Sequence, residues 1–169
     1  RAMLKNILSA LLWPLARVTR IVGAKLTALW SFARLRDSLS TPLHPSNVIL
    51  GTVAVEGTAN IRIGRNARIY PGVLLETQGH GRIVIGDNVV LSRGVHIVAF
   101  DSVRDSGHDC AAIALDSNVW VGRAACVLKG VHIGANSIIG ANAVVTGNVA
   151  SSSCAVGVPA RARVLSFTA

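Results

Sequence analysis

One short stretch of the chain, residues 100–110, concentrates the side chains best suited to move protons near neutral pH. It reads Phe-Asp-Ser-Val-Arg-Asp-Ser-Gly-His-Asp-Cys. Its histidine, His108, lies between two carboxylates in the sequence, Asp105 and Asp109. An imidazole titrates near neutral pH, and a carboxylate that holds one ring nitrogen leaves the other free to accept a proton. The stretch could therefore supply a general base and its orienting group, and either aspartate could fill the second role.

The residues on both sides of this stretch follow a repeat of six. An aliphatic residue leads each repeat, and three positions later comes Asn or Gly wherever the pattern continues, with Ala124 as the exception. The lead positions are Ile63, Ile69, Leu75, Ile85, Leu91, Ile97, Leu115, Val121, Val127, Ile133, Ile139 and Val145. Because Asn and Gly adopt positive φ at the lowest steric cost, each such slot predicts a corner. Short strands joined by regular corners are typical of a parallel β-helix, and these sides would make roughly four three-sided coils.

The repeat breaks twice. The first break, residues 76–83, is short and predicts a widened corner. In the second break, after Ile97, two successive lead slots would fall on Val103 and Asp109. Because an aspartate is costly to bury, the chain is predicted to leave the β-helix here as a protruding loop at about residues 98–113. That loop carries the histidine and carboxylates described above.

Positive charge is concentrated at the N-terminal end. The chain has a formal net charge of +9 at pH 7, and residues 1–36 contain seven basic and no acidic side chains. Apolar residues recur there at steps of three or four, which predicts a basic amphipathic helix that Pro14 kinks or splits. We therefore divide the chain into a helical segment, 1–41, and a β-helix domain, 42–165. The longest stretch of this helix without a charged residue is too short to span a bilayer. We therefore expect the helix to lie on anionic lipid or to pack on protein.

The composition excludes several classes of site. Of the 169 residues, 51% are hydrophobic and only 4% aromatic, which suits a narrow core of aliphatic side chains. The three cysteines, Cys110, Cys126 and Cys154, form no CxxC pair, which argues for a reducing compartment and against structural zinc. The sequence contains no P-loop and no GxGxxG motif, and its basic end lacks the pattern of a nucleic-acid module. We expect no metal and no nucleic-acid partner.

Four motifs give the chain a resemblance to a known superfamily. They are Asn-Val-Trp-Val-Gly (118–122), Val-Leu-Lys-Gly-Val-His-Ile-Gly (127–134), Ile-Ile-Gly-Ala-Asn-Ala-Val-Val-Thr (138–146) and Val-Gly-Val-Pro-Ala-Arg (156–161). Together they resemble the signature of the hexapeptide-repeat acyltransferases. The resemblance implies an all-β, left-handed parallel β-helix. It also implies a homotrimer with active sites at the subunit boundaries, and acetyl-CoA as the donor.

The loop adds a narrower resemblance. Residues 102–108 are similar to the segment that carries the catalytic histidine in a saccharide O-acetyltransferase branch of that superfamily. This implies that His108 is the general base, with Asp105 or Asp109 orienting it. A sugar hydroxyl needs such a base, because it is a poor nucleophile until its proton is accepted during attack on the thioester. His96, which lies close to the loop in the sequence, is the reserve candidate.

The resemblance also implies a set of donor-binding residues. They are Trp120, Gly122, Lys129, Gly140, Ala141, Arg161 and Arg163. Arg161 and Arg163 belong to or follow the closing motif, and their guanidinium groups suit the phosphates of CoA. Trp120 could line the channel for the pantetheine arm, although we favour packing across a subunit boundary. Lys129 and Arg123 lie on neighbouring coils, where an ordinary surface charge is the competing interpretation.

The sequence therefore predicts an O-acetyltransferase that uses acetyl-CoA to modify a saccharide hydroxyl. Its acceptor would be a cell-surface polysaccharide or a glycan intermediate. Its place would be the cytoplasm, with the basic segment 1–36 touching the inner face of the membrane. One alternative is a non-catalytic trimeric scaffold or sugar-binding protein. A γ-class carbonic anhydrase is the other, although it needs a His-x4-His pair of zinc ligands and no two histidines here are five residues apart.

Overall fold

The computed structural model describes Leu39 and residues 42–57, 60–101 and 109–164. These residues form eighteen β-strands and no helix. In chain order the strands are β1 (Val48–Ile49), β2 (Val53–Gly57), β3 (Ile61–Ile63), β4 (Arg68–Ile69), β5 (Val73–Thr77), β6 (Ile83–Ile85), β7 (Val90–Leu91), β8 (His96–Val98), β9 (Phe100–Asp101), β10 (Asp109–Cys110), β11 (Ile113–Leu115), β12 (Trp120–Val121), β13 (Cys126–Leu128), β14 (His132–Ile133), β15 (Ile138–Ile139), β16 (Val144–Val145), β17 (Ser153–Gly157) and β18 (Ala160–Val164). The predicted N-terminal helix lies outside the described residues. Within them no helix is long and apolar enough to cross a membrane.

The strands stack into three sheets, one for each side of a coil. The first sheet has the order β1-β4-β7-β12-β15-β17-β18, the second β16-β13-β8-β5-β2, and the third β14-β11-β6-β3. All neighbours within these sheets are parallel except β17 and β18, which form an antiparallel hairpin. The chain is thus the predicted all-β parallel β-helix.

Most of one coil precedes the first predicted lead position, Ile63. Strands β1 and β2 form two of its sides and β3, which contains Ile63, forms the third. Ile49, Val55 and Ile63 are in register with lead residues of the next coil. Eight residues rather than six separate Val55 from Ile63. This insertion shifts the phase of the repeat, which is why the sequence pattern became visible only from Ile63 onward.

The core is the column of side chains that point into the coils. All twelve predicted lead residues are buried, and none is more than 7% exposed. The second inward slot, four positions later, is equally buried along the chain, from Ala67 to Val149. The described side chains in these two inward slots are aliphatic, except for Ser137 in the second slot. Its hydroxyl donates to the Ala150 carbonyl at 2.9 Å, so the buried oxygen is satisfied.

The predicted corners have the expected backbone conformation. Asn66, Asn88, Asn118, Asn136 and Asn142 all have positive φ, between 56° and 62°. Glycines take the same slot at the other corners, at Gly72, Gly94 and Gly130. Asn148 differs, because its φ is not positive. Its Oδ1 accepts a hydrogen bond from the His132 backbone N–H at 2.8 Å.

Four corner asparagines also bond to one another between coils. Asn66 Nδ2 donates to Asn88 Oδ1 at 3.1 Å, and Asn88 Nδ2 donates to Asn118 Oδ1 at 3.0 Å. Asn118 Nδ2 continues the ladder to Asn136 Oδ1 at 3.1 Å. Asparagine therefore has two functions at this edge, since it tolerates the corner conformation and links each coil to the next.

The structure describes the first break in full and both ends of the second. At the first, Gly79 has φ 54° and the Gly81 N–H donates to the Gln78 carbonyl at 2.8 Å, which makes a widened corner. At the second, β9 and β10 pair antiparallel and form the base of a hairpin. Ile97 and Ile113, on either side of that hairpin, are fully buried, so the chain leaves the core and returns to it as predicted.

Ala124 tests the cost of a corner. It has φ 53° without the glycine or asparagine that relieves this conformation elsewhere. We expect Ala124→Asn to raise the free energy of unfolding by about 1 kcal/mol, measured by urea denaturation. The matched control is Ala150→Asn, an exposed position outside the positive-φ residues, where no gain is expected. Equal effects of the two substitutions would contradict a conformational cost at Ala124.

Candidate functional site

A groove runs along the first sheet and its corner with the second. It has a volume of about 410 Å³, within the range of small-molecule sites. Its lining residues are Tyr70, Ser92, Arg93, Trp120, Gly122, Arg123, Ile138, Ile139, Gly140 and Ala141. They come from four successive coils, because coil stacking places equivalent positions of the repeat directly above one another. The groove therefore runs along the axis of the β-helix.

Four of the predicted donor-binding residues meet in this groove: Trp120, Gly122, Gly140 and Ala141. Trp120 is 52% exposed, and its Nε1–H donates to Ser92 Oγ at 3.1 Å. This hydrogen bond holds the indole at the groove wall with much of its apolar surface still open. Such a ring can pack on a ligand or on another subunit, which are the two roles considered from the sequence.

The two glycines have a structural reason for their identity as well. A Cβ on Gly122 would lie 2.7 Å from the Ile139 carbonyl oxygen of the next coil. A Cβ on Gly140 would lie 2.7 Å from Val156 Cγ1. Coil stacking therefore demands glycine at position 122, where the backbone of the next coil is in the way. At position 140 the close contact is with the side chain of the exposed Val156.

The predicted cations divide into two groups. In β18, Arg163 pairs with Cys154 and Arg161 with Val156 on β17, so both follow the outward rows of the first sheet. Cys154 in turn pairs with Ile138 of the groove, which puts Arg163 two strand spacings, or about 10 Å, from that lining residue. Lys129 comes directly after β13 in the second sheet and does not line the groove.

Tyr70, Ser92 and Arg93 are groove residues that sequence analysis missed, and Arg123 was weighed only as a surface charge. A signal for them was present. Arg93 and Arg123 occupy the same slot of the repeat, two positions after the lead residues Leu91 and Val121. A comparison of this slot between coils therefore predicts that the two arginines lie on adjacent coils.

The predicted general base is not among the residues that the structure describes. His108 and Asp105 lie outside the described residues, and Asp109 is the first residue of β10, paired with Asp101. The hairpin leaves between the second and third sheets, whereas the groove lies at the corner between the first and second. On one chain the base of the hairpin and the groove are therefore on opposite sides of the second sheet.

The other histidines have ordinary surroundings. His96 projects from the second sheet in register with Leu74 and Cys126. His132 Nε2 lies 3.0 Å from Asp116 Oδ1 on the third side, and both side chains are about half exposed. Among the residues that the structure describes, no three His, Cys, Asp or Glu side chains are grouped as metal ligands would be.

The cysteines are all free thiols of intermediate burial. Burial raises the pKa of the Cys126 thiol, and the negative charge of Glu76 raises it further. A thiol needs a lowered pKa to act as a nucleophile near neutral pH. Cys126 is therefore unsuited to carry an acyl group near neutral pH.

Comparison with known proteins adds three similarities. The family described as "Bacterial transferase hexapeptide (six repeats)" matches residues 115–147. A putative lipopolysaccharide biosynthesis O-acetyl transferase, WbbJ of Escherichia coli K12, is 28% identical over 82% of this chain and 90% of its own length. The galactoside O-acetyltransferase of the same organism is 34% identical over 61% of this chain. The chain spans 53% of that second relative's length.

The fold is shared with a solved structure. The hexapeptide-repeat-containing acetyltransferase VCA0836 of Vibrio cholerae superimposes with a TM-score of 0.69, at 23% identity, over 92% of this chain and 90% of its own. A second structure of that protein is described as a complex with acetyl coenzyme A. At this level of identity the likeness shows that the two proteins have the same β-helix.

The raised pKa of Cys126 predicts slow alkylation. At pH 8 we expect iodoacetamide to modify Cys126 more slowly in the folded chain than in urea, because less thiolate is present. The ratio of the two rates should narrow as the pH rises, and Glu76→Gln should narrow it at pH 8. Peptide mass spectrometry gives both rates, with Cys110 and Cys154 followed in the same map. A ratio independent of pH and of Glu76 would mean that access alone slows the reaction.

Proposed function

We propose that this chain is a hexapeptide-repeat O-acetyltransferase that moves the acetyl group of acetyl-CoA to a hydroxyl of a saccharide. The observation that carries the proposal is the groove in which Trp120, Gly122, Gly140 and Ala141 meet. These residues come from the motifs that resemble the superfamily's signature. The same surface is long and narrow, as a site for an extended arm must be.

The relatives support a saccharide as the acceptor. WbbJ is named for lipopolysaccharide biosynthesis, and this chain matches nearly its whole length. The galactoside O-acetyltransferase, which shares a shorter region, is named for a sugar acceptor. A polysaccharide or a glycan intermediate destined for the cell surface fits both names.

The groove suggests how the donor would lie. The pantetheine arm would follow the axis past Trp120 and the two glycines. The phosphate groups would reach Arg161 and Arg163, whose guanidinium groups present planar donors to phosphate oxygens. Both arginines are exposed on β18, beyond the C-terminal end of the groove. This direction places the thioester toward the middle coils, from which the hairpin also emerges.

The chemistry is a direct transfer with His108 as general base. The imidazole accepts the proton of the sugar hydroxyl as its oxygen attacks the thioester carbonyl. Backbone N–H groups stabilise the oxyanion that forms. The carbon–sulfur bond then breaks, CoA leaves with the proton from the imidazolium, and the acetyl ester remains on the sugar. Asp105 or Asp109 keeps the imidazole oriented throughout.

A homotrimer is part of the proposal. On one chain the base of the hairpin and the groove lie at opposite edges of the second sheet, which favours a site shared between subunits. Three subunits packed side by side would let the hairpin of one reach the groove of another. The proposed site is thus shared between neighbours.

The N-terminal segment gives the proposed location. Its seven basic residues and apolar periodicity suit an interfacial helix on anionic lipid. We therefore place the enzyme in the cytoplasm, peripherally attached to the inner face of the membrane, where lipid-linked glycan intermediates would meet it.

Replacing the proposed base tests the mechanism. His108→Ala should lower kcat by about 10²- to 10⁴-fold, because the hydroxyl loses its proton acceptor, while the KM for acetyl-CoA stays near that of the wild type. His96→Ala and His132→Ala are the matched controls and should retain turnover. Acetyl transfer to a saccharide panel is read by mass spectrometry. Near-normal turnover by a folded His108→Ala protein would rule out this assignment.

The membrane location is tested in the full chain. Arg17→Glu combined with Arg20→Glu should reduce binding to phosphatidylglycerol vesicles by more than about tenfold, since each basic residue near the surface contributes about 1 kcal/mol. The control, Arg62→Glu with Arg65→Glu, makes the same change of charge on the exposed β-helix surface. Vesicle flotation measures both proteins. Equal binding by the two variants would refute a role for the N-terminal segment.

A further inference from the structure

Two arginines of the groove form a stacked pair that the donor does not explain. Arg93 and Arg123 occupy the same corner slot on successive coils, and the Ala124 N–H donates to the Arg93 carbonyl at 2.9 Å. Their backbones are therefore about one strand spacing, roughly 4.8 Å, apart. Both side chains are exposed and line the groove. In the described part of the chain neither guanidinium is in an ion pair.

Among the described side chains, the acids lie on other sides of the β-helix than this pair. The first sheet carries no aspartate or glutamate on any of its strands. Asp87 and Asp116 lie at the corner between the third and first sheets, and Glu56 and Glu76 project from the second sheet. Two like charges so close are unfavourable by themselves. They become favourable when an anion lies between them, which is how clustered arginines bind carboxylates and phosphates.

The pair lies at the wrong end of the groove for the phosphates of the donor. Arg163 on β18 is four strand spacings from the coil of Arg93, or about 19 Å. A CoA molecule carries its phosphates at one end and its thioester at the other. If Arg161 and Arg163 hold the phosphate end, Arg93 and Arg123 flank the reacting end, where the acceptor must sit.

We propose that Arg93 and Arg123 bind an anionic group of the acceptor, so that the preferred substrate is an acidic saccharide that carries a carboxylate or a phosphate. This inference rests on the proposed function and narrows its substrate class. The neighbouring surface suits a sugar. The half-exposed indole of Trp120 and the ring of Tyr70 offer apolar faces to a pyranose, and Ser92 adds a hydroxyl. The arginines supply the contact that a neutral sugar cannot use.

Matched pairs of acceptors test the proposal. Acetyl transfer to glucuronate and galacturonate is compared with transfer to glucose and galactose, and the 1-phosphate of N-acetylglucosamine is compared with the free sugar. For the wild type we expect kcat/KM to favour the anionic member by about 10- to 100-fold, the value of a hydrogen bond to a charged group. Arg93→Ala and Arg123→Ala should each remove most of this preference. For each variant the readout is the ratio of kcat/KM on the anionic member to kcat/KM on the neutral member of a pair.

Two further variants separate charge from geometry and from general effects. Arg93→Lys keeps the charge without the planar fork, so it should retain part of the preference. Arg68→Ala is the control, because Arg68 is exposed on the same sheet but does not line this groove. It should behave as the wild type. All variants are checked for the wild-type melting temperature.

The outcomes distinguish a failure of the acidic-acceptor proposal from a failure of the proposed O-acetyltransferase function. A wild type that acetylates neutral and acidic sugars equally would overturn the acidic acceptor and leave the O-acetyltransferase function intact. A rise in the KM for acetyl-CoA in Arg93→Ala, with the acceptor preference unchanged, would assign the arginines to the donor and also overturn it. Calorimetry with glucuronate and glucose, without acetyl-CoA, tests the pair even if no sugar is acetylated. Equal binding of the two by the wild type would refute it again.

Discussion

Each coil of this protein hydrogen-bonds to the next through its own backbone, and this close stacking is the constraint from which the other features follow. The strands of adjacent coils lie about 4.8 Å apart. At that distance a side chain at certain slots would collide with the backbone above, as a Cβ at Gly122 would with Ile139 and Ala141. The same spacing lines up equivalent residues on successive coils, so that a choice of residue at one slot acts on its neighbours above and below.

Stacking turns a short repeat into columns with different properties. The inward columns are aliphatic and closed to water. One corner column is a ladder of asparagines whose amides bond from coil to coil. Another corner column contains Arg93 and Arg123 on adjacent coils. The register that aligns the asparagines therefore aligns two positive charges here. An anionic ligand at this corner could contact both guanidinium groups at once, which distinguishes the corner from the rest of the described surface.

The described acids and the groove arginines occupy different sides of the β-helix. The first sheet is without acids on its strands, whereas glutamates project from the second and aspartates lie at the corner between the third and the first. This separation matters more for function than the total charge, because it leaves one long apolar surface with positive charge at both ends. Burial and the charge of Glu76 raise the pKa of the Cys126 thiol, and Cys126 does not line this surface.

The six-residue repeat determined the core, the corners and both interruptions. Inward slots follow directly from a period that returns each lead residue to the same side, and Asn or Gly at a fixed slot marks positive φ whatever the rest of the chain does. The coil before Ile63 escaped notice, since the eight residues between Val55 and Ile63 break the period that made the pattern visible. His108 came from a local motif, and its surroundings lie beyond the described residues.

The groove needed the tertiary structure. Trp120, Gly140 and Ala141 were chosen from motifs, and the fold brought them together with Tyr70, Ser92 and Arg93, which no motif contains. A repeat states which residues share a side of the coil, but the width of a groove and the residues that flank it depend on how far each side chain reaches across neighbouring coils. The sequence by itself thus determined a β-helix whose repeat is interrupted after Ile97. Only the tertiary structure decided that two arginines thirty residues apart would line the same groove as Trp120 and Tyr70, because a groove depends on the reach of side chains from neighbouring coils.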